Sequence, residues 1–194
     1  VVYINNIDYS SINKNSKAYE VLTNLSSTKN NIILDFNYTA STRLILKQCG
    51  LSDEDIDNRL IKVHGEASNN DIIFGVEDNA GIKKEHVFLR KAYNIKYKAL
   101  NFSELYDRIK SVAIFGHSLG ETDHTYFNKL FQESCMYNKF STNNNKEFWL
   151  FYYKENGYHC MMQQLDSLTH NSLTSFRQYN RVNFINTDKE KVFI

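Results

Sequence analysis

The sequence predicts an α/β protein built on a Rossmann-like, mostly parallel sheet flanked by helices, and three observations carry that expectation. Apolar runs too short for buried helices recur along the chain, among them Asn31-Ile-Ile-Leu-Asp-Phe36, Leu60-Ile-Lys-Val-His64 and Val112-Ala-Ile-Phe115. Between them lie segments with apolar residues three and four apart, the spacing of an amphipathic helix. Strands that alternate with helices close most simply into a parallel sheet with crossover connections. The third observation is local: Val112 to Phe115 breaks at Gly116 and runs through His117-Ser-Leu-Gly-Glu-Thr-Asp-His124 into a helical pattern. A strand, a small-residue turn and a helix start form the usual place for a nucleotide in an open α/β sheet.

The elements follow in chain order. Ser16 to Leu25 carries Ala18, Val21, Leu22 and Leu25 at helical spacing. The strand ending at Phe36 delivers Asn37-Tyr-Thr39 to its exit, and a helix from Ser41 to Cys49 stops at Gly50, a normal terminator. Ser52-Asp-Glu-Asp reads either as the start of a short helix or as an acidic loop. Leu60 to His64 is a strand ending at Gly65, and Asp71-Ile-Ile-Phe-Gly-Val76 is expected to pair with it as an antiparallel hairpin. A helix is expected from about Lys84 to Leu100 with Phe88, Ala92 and Tyr93 on its core face, then another from Phe102 to Lys110. Lys83, Lys84, Arg90 and Lys91 read as a solvated basic face.

The run Val112 to Phe115, four apolar residues, is expected to be covered on both faces. Ser118, Thr122 and Asp123 can each cap the helix that follows, in which Tyr126, Phe127, Leu130, Phe131 and Cys135 mark the core side out to Tyr137. A polar loop from Lys139 to Lys146 leads to a strand from Glu147 to Tyr153, then a turn at Glu155-Asn-Gly157. His159 to Gln178 is helical with an interruption near His170, and Arg181 to Ile185 is the last strand.

Composition bounds the function classes. The 194 residues fit one α/β domain, 1–194, and the opening at Val-Val-Tyr-Ile rather than Met suggests an N-terminally incomplete one. With 23 basic against 22 acidic residues the net charge is +1, so no global field draws the chain to nucleic acid or an anionic membrane. Cys49, Cys135 and Cys160 are odd in number and far apart, a pattern of reduced thiols in a cytoplasmic protein. No run of about 18 apolar residues marks a membrane span.

The chemistry-bearing residues have bland readings as well. Asn37 at a strand exit suits a turn, its side chain satisfying local backbone amides. His64 before Gly65 can be a packed strand-end histidine or a general base, since imidazole exchanges a proton near neutrality. Gly-His-Ser-Leu-Gly matches the Gly-x-Ser-x-Gly elbow of α/β-hydrolases, with Ser118 as nucleophile, Asp123 as the acid and His159 or His170 as the late base. His117, Asp123 and His124 cluster at a helix start without forming a tetrahedral ligand set, so no metal is expected.

Phe36-Asn-Tyr-Thr39, Val63-His-Gly65, Ile73-Phe-Gly75 and Ile114-Phe-Gly-His-Ser-Leu-Gly-Glu-Thr-Asp123, in that order, resemble the abortive-infection AbiH family of bacterial antiphage proteins. More distantly, the layout resembles the sirtuin-like NAD-binding fold. That resemblance implies a candidate NAD glycohydrolase with Asn37 positioning ribose and water and His64 as base, both in catalytic roles. It further implies nucleotide contacts at Thr39, Gly65, Gly116, His117, Ser118 and Asp123, with Thr39 standing where the broader group usually has Asp. The family's opening strand and glycine-rich phosphate turn have no counterpart in these residues. NAD is then the substrate, no metal takes part, and a phage-derived or host protein trigger and self-association are compatible partners. The alternative in a different class is a non-catalytic module that senses a nucleotide or binds a protein within a defence system.

Overall fold

The computed structural model describes residues 12–28, 30–76, 80–94, 108–136 and 145–190. The chain divides into two units, one within Val1–Tyr97 and one within Lys98–Lys191.

In the first unit, α1 (Lys17–Ser27) is capped by Ser16, whose Oγ accepts the Tyr19 N–H at 3.2 Å. β1 (Ile33–Asp35) pairs in parallel with β2 (Leu60–Lys62), Ile33 opposite Leu60 and Asp35 opposite Lys62. The connection holds α2 (Ser41–Gln48) and α3 (Asp53–Arg59). Gly50, at φ 89°, closes α2, and the following Leu51 N–H returns to the Leu46 carbonyl at 3.2 Å. Ser52-Asp-Glu-Asp is a helix start: Ser52 Oγ accepts the Asp55 N–H at 3.1 Å, and three acidic residues occupy the first turn, where the helix dipole favours them. Leu46, Ile56 and Leu60 form the core, with Leu22, Ile33 and Leu51 packed against it.

In the second unit, β3 (Ser111–Ile114), β4 (Glu147–Tyr152) and β5 (Arg181–Asn186) form a parallel sheet in that order. The connections are α4 (His124–Ser134), and α5 (Lys154–Leu168) with α6 (Leu173–Tyr179). The interruption near His170 is real: His170 and Asn171 both take left-handed backbone angles, φ 50° and 61°. Phe131, Phe148 and Phe176 meet at 4.7 to 5.6 Å between ring centroids and are fully buried, as are Leu150, Leu165 and Leu168.

Several expectations are corrected. Residues 71–76 form no strand; the segment is tied to the β2 exit by the Ile73 N–H on the His64 carbonyl, at 2.9 Å, and by the Glu66 N–H on Asp71 Oδ1, at 2.6 Å. The short 3-10 turn Ala67–Asn69 and the left-handed Asn70, φ 52°, take the chain out of hairpin register first. In place of a helix from Lys84 there are 3-10 turns at Lys84–Leu89 and Lys91–Tyr93. Val76 donates to the Leu89 carbonyl at 2.8 Å and accepts from the Lys91 N–H at 2.9 Å, which draws Arg90 into an extended conformation between them. Phe88 and Tyr93 are exposed rather than core, and Lys91 is buried rather than solvated.

β3 is covered on one face only, since Ala113 is exposed, as suits a strand at the edge of its sheet. Glu155-Asn-Gly157 is not a turn: β4 passes into α5 through Lys154, left-handed at φ 56°, and the helix runs through Gly157. Positions 95–100 and 102–107 of the two helices expected in that region, 139–144 of the polar loop and Tyr137 lie outside the described residues.

Candidate functional site

Parallel pairing puts the carboxyl ends of β1 and β2 side by side, so the residues that leave these strands share one rim. From β1 come Phe36, Asn37, Tyr38 and Thr39; from β2 come Val63, His64, Gly65 and Glu66. The two exits are tied together by Lys62. Its ammonium donates to Asp35 Oδ2 at 2.9 Å, to the Asn37 carbonyl at 2.5 Å and to the Thr39 carbonyl at 2.7 Å, with Glu66 Oε2 at 3.9 Å. The Tyr38 carbonyl between them accepts the Ala67 N–H at 2.8 Å. Three successive carbonyls of the β1 exit are thereby engaged, which fixes the loop that carries Asn37.

Asp35 and Glu66 are buried, and an ammonium placed between buried carboxylates offsets the desolvation of all three. Asp35 Oδ1 also accepts the Asn37 N–H at 2.9 Å, and the Asn37 carboxamide reaches the same oxygen at 3.3 Å. The turn expected of Asn37 is therefore made by Asp35, and Asn37 is exposed at the rim. Glu66 accepts from Ser68 Oγ.

His64 is packed more tightly than the sequence suggested. It is 6 % exposed, its ring edge-on to Phe36 at 5.5 Å and tilted against Tyr38 at 6.1 Å. Gly65 is required by space as well as by φ: at 73°, a Cβ there would lie 2.2 Å from the Asp71 carbonyl oxygen. Thr39 Oγ1 lies 3.0 Å from Ser41 Oγ at the start of α2. Asn37, Thr39, His64 and Gly65 thus occupy one rim.

In the second unit, the turn after β3 is held by its own histidines. His117 Nδ1 accepts the Leu119 N–H at 2.9 Å, so in the neutral ring the proton sits on Nε2, which faces Asp123 Oδ2 at 3.3 Å. The ring packs edge-on to Phe127 at 5.2 Å. Asp123 occupies the N-cap position of α4 without a side-chain cap bond; its carboxylate turns to His117 instead. His124 Nε2 lies 3.0 Å from the Leu119 carbonyl and 2.9 Å from Gln164 Oε1. Gly116, Ser118 and Glu121 are exposed along this turn.

The hydrolase reading gains no geometry here. In a nucleophile elbow the serine itself bears the strained turn. Here the left-handed residues are Gly116 and Leu119, φ 65° and 55°, and Leu119 is fully buried. His159 pairs with Glu155 at 3.7 Å and His170 with Gln132 at 3.1 Å, rather than with Ser118.

Lys62 and Asp35 went unnoticed in the sequence because each looks like an ordinary strand polar residue, and Glu66 because it opens a polar connection. The available signal was the placement of a lysine and an aspartate inside runs that otherwise read as buried. Among the described residues no three His, Cys, Asp or Glu side chains gather as a cation site, and no helix is long and apolar enough to cross a membrane.

Parallel strands with helical connections and polar exits at their carboxyl ends define an α/β protein of Rossmann-like type, with no closed barrel among the described residues. The family model described as Bacteriophage abortive infection AbiH matches residues 2–149. The chain belongs to that family, whose role is antiphage abortive infection. Comparison with curated proteins and with solved structures found no match.

Proposed function

We propose that this abortive-infection protein binds a nucleotide at the carboxyl rim of β1 and β2 and consumes NAD there by hydrolysing its N-glycosidic bond. The observation that carries the reading is the presentation of Asn37 and His64 on adjacent parallel strand exits locked by Lys62. In the reaction, the bond between nicotinamide and ribose breaks with its electron pair leaving on the nicotinamide nitrogen, and water adds to the oxocarbenium-like carbon. Asn37 orients that water and the ribose, and His64 takes the proton the water loses. Thr39 and Gly65 border the nucleotide. In the second unit, taken by itself, Gly116 and Ser118 are the candidate nucleotide-contacting positions of the turn after β3, and His117 and Asp123 maintain that turn.

The burial of His64 between Phe36 and Tyr38 favours a second reading, in which the rim binds its nucleotide as a sensor without turnover. One experiment divides the two. NAD is followed during phage infection in cells carrying the complete protein, His64→Ala or Asn37→Ala. Hydrolysis predicts that NAD collapses with the unaltered protein and holds in both variants. Unchanged NAD in every strain, with NAD binding still measurable by calorimetry on the purified protein, leaves the sensor.

A further inference from the structure

Phe74 is an exposed aromatic residue on a backbone with little freedom. The residue is 64 % exposed, yet its neighbours are pinned: the Ile73 N–H bonds the His64 carbonyl at 2.9 Å, and the Val76 N–H bonds the Leu89 carbonyl at 2.8 Å. Gly75 between them runs so close to the neighbouring segment that a Cβ would fall 2.5 Å from the Leu89 carbonyl oxygen. The Phe74 ring lies 5.4 Å from that of Tyr38, inclined by 41°, and Tyr38 in turn lies 6.1 Å from His64. Tyr38 sits between the two carbonyls that Lys62 holds, and its own carbonyl is bound by Ala67. Two aromatic side chains on fixed backbone, one well out in solvent and the other next in the chain to the exposed Asn37, are costly to leave wet and cheap to use. They lose little further freedom when a flat ligand covers them.

We propose that Tyr38 and Phe74 form a stacking shelf for the planar heteroaromatic ring of the ligand, a nucleobase or nicotinamide. This rests on the nucleotide reading of the same rim and deepens it. An apolar ring face with a carboxamide alongside matches a base whose flat surface is apolar and whose edge is polar. Stacking on aromatic side chains tolerates any base, because every base has a π face. Asn37, neighbouring Tyr38 in the chain, then supplies the directional contact and the shelf supplies the area.

The test compares adenosine monophosphate with ribose 5-phosphate, which lacks the ring, by calorimetry on the complete protein and on Phe74→Ala, Tyr38→Ala, Phe74→Tyr and Tyr38→Phe. Expected is tighter binding of the nucleotide than of the sugar phosphate, a loss of about tenfold or more for the nucleotide alone in Phe74→Ala, and retention in both aromatic swaps. Phe74→Ala should melt within a few degrees of the unaltered protein because the side chain is exposed, so Phe74 carries the test even if Tyr38→Ala is less stable. Equal binding of the two ligands by the unaltered protein, or an equal loss of both in Phe74→Ala, overturns the shelf. Failure of the shelf is separable from failure of the hydrolase reading. NAD consumed at an unchanged rate by Phe74→Ala removes only the shelf, and adenosine monophosphate bound in a Phe74-dependent way without NAD loss removes only the hydrolysis.

Discussion

After β2 the chain turns at Gly65 and after β3 at Gly116, both left-handed, with φ of 73° and 65°. A Cβ on Gly65 would strike the Asp71 carbonyl at 2.2 Å, whereas one on Gly116 would meet nothing within 4 Å. The same residue type in the same conformation is enforced by crowding in one unit and by backbone angle alone in the other. The remaining contacts follow the same division. The β1 and β2 exits are bound by a half-buried lysine shared among a carboxylate and two carbonyls, while the turn after β3 is bound by histidine contacts to main-chain groups and to Asp123. A lysine-locked rim holds its side chains in one place, which is what a binding surface needs; the histidine-bound turn has room beside its glycine.

The sharpest way to break this contrast is to remove the lysine. Lys62→Met leaves Asp35 and Glu66 buried without their cation and should cost about 3–5 kcal/mol in chemical denaturation. Gln164→Ala, which takes one neutral partner from His124, should cost only about 1 kcal/mol. Similar losses in the two variants would end the distinction between a lysine-locked and a histidine-bound strand exit.

The glycines give a smaller effect and a cleaner comparison. Gly65→Ala combines left-handed strain with a backbone clash and should cost about 2–4 kcal/mol. Gly116→Ala meets only the strain of a left-handed alanine, about 1–2 kcal/mol. Thermal melts of the two variants measured side by side check the order, and a larger loss at Gly116 would reverse it.

The smallest effect lies away from both turns. The hydrogen bond from Lys47, 2.7 Å from Asp53, holds that carboxyl below the ordinary aspartate range, and Arg43 at 3.5 Å adds to it. A carboxyl whose pKa is lower folded than unfolded contributes stability above the unfolded pKa and loses it as pH falls through the folded one. Asp53→Asn should therefore be slightly less stable than the unaltered protein at neutral pH and converge with it in acid. Because Asp53 is fully exposed, the neutral-pH difference should shrink with added salt. A constant gap from neutral to acid pH would show that this surface pair contributes nothing through charge.

The strand exits were legible because they are local. Asn37, His64 and Gly116 each follow a short apolar run, and such a run has few alternatives to a strand. Helix starts at Ser16 and Ser52 were legible for the same reason, since a serine cap acts on amides two or three residues away. Residues 71–76 misled because alternation and apolar content are necessary for a strand but a partner in register is also required, and the turn after Gly65 removes it. Glu155-Asn-Gly157 misled because a glycine near a strand end signals a turn only when no helix is ready to take the chain.

By itself the sequence determined the alternation of strands and helices, the polar residues at the strand exits and the family, all properties of neighbours along the chain. Only the tertiary structure decided that Lys62 clamps the loop after β1, that Asp35 and not Asn37 makes the turn, that His64 is buried against Phe36 and Tyr38, and that Phe74 is held outward beside them. Those features depend on groups brought together from separate stretches of chain, as Lys62 and Asp35 are by the parallel pairing of β1 and β2. Their electrostatics and packing exist only once the strands have paired.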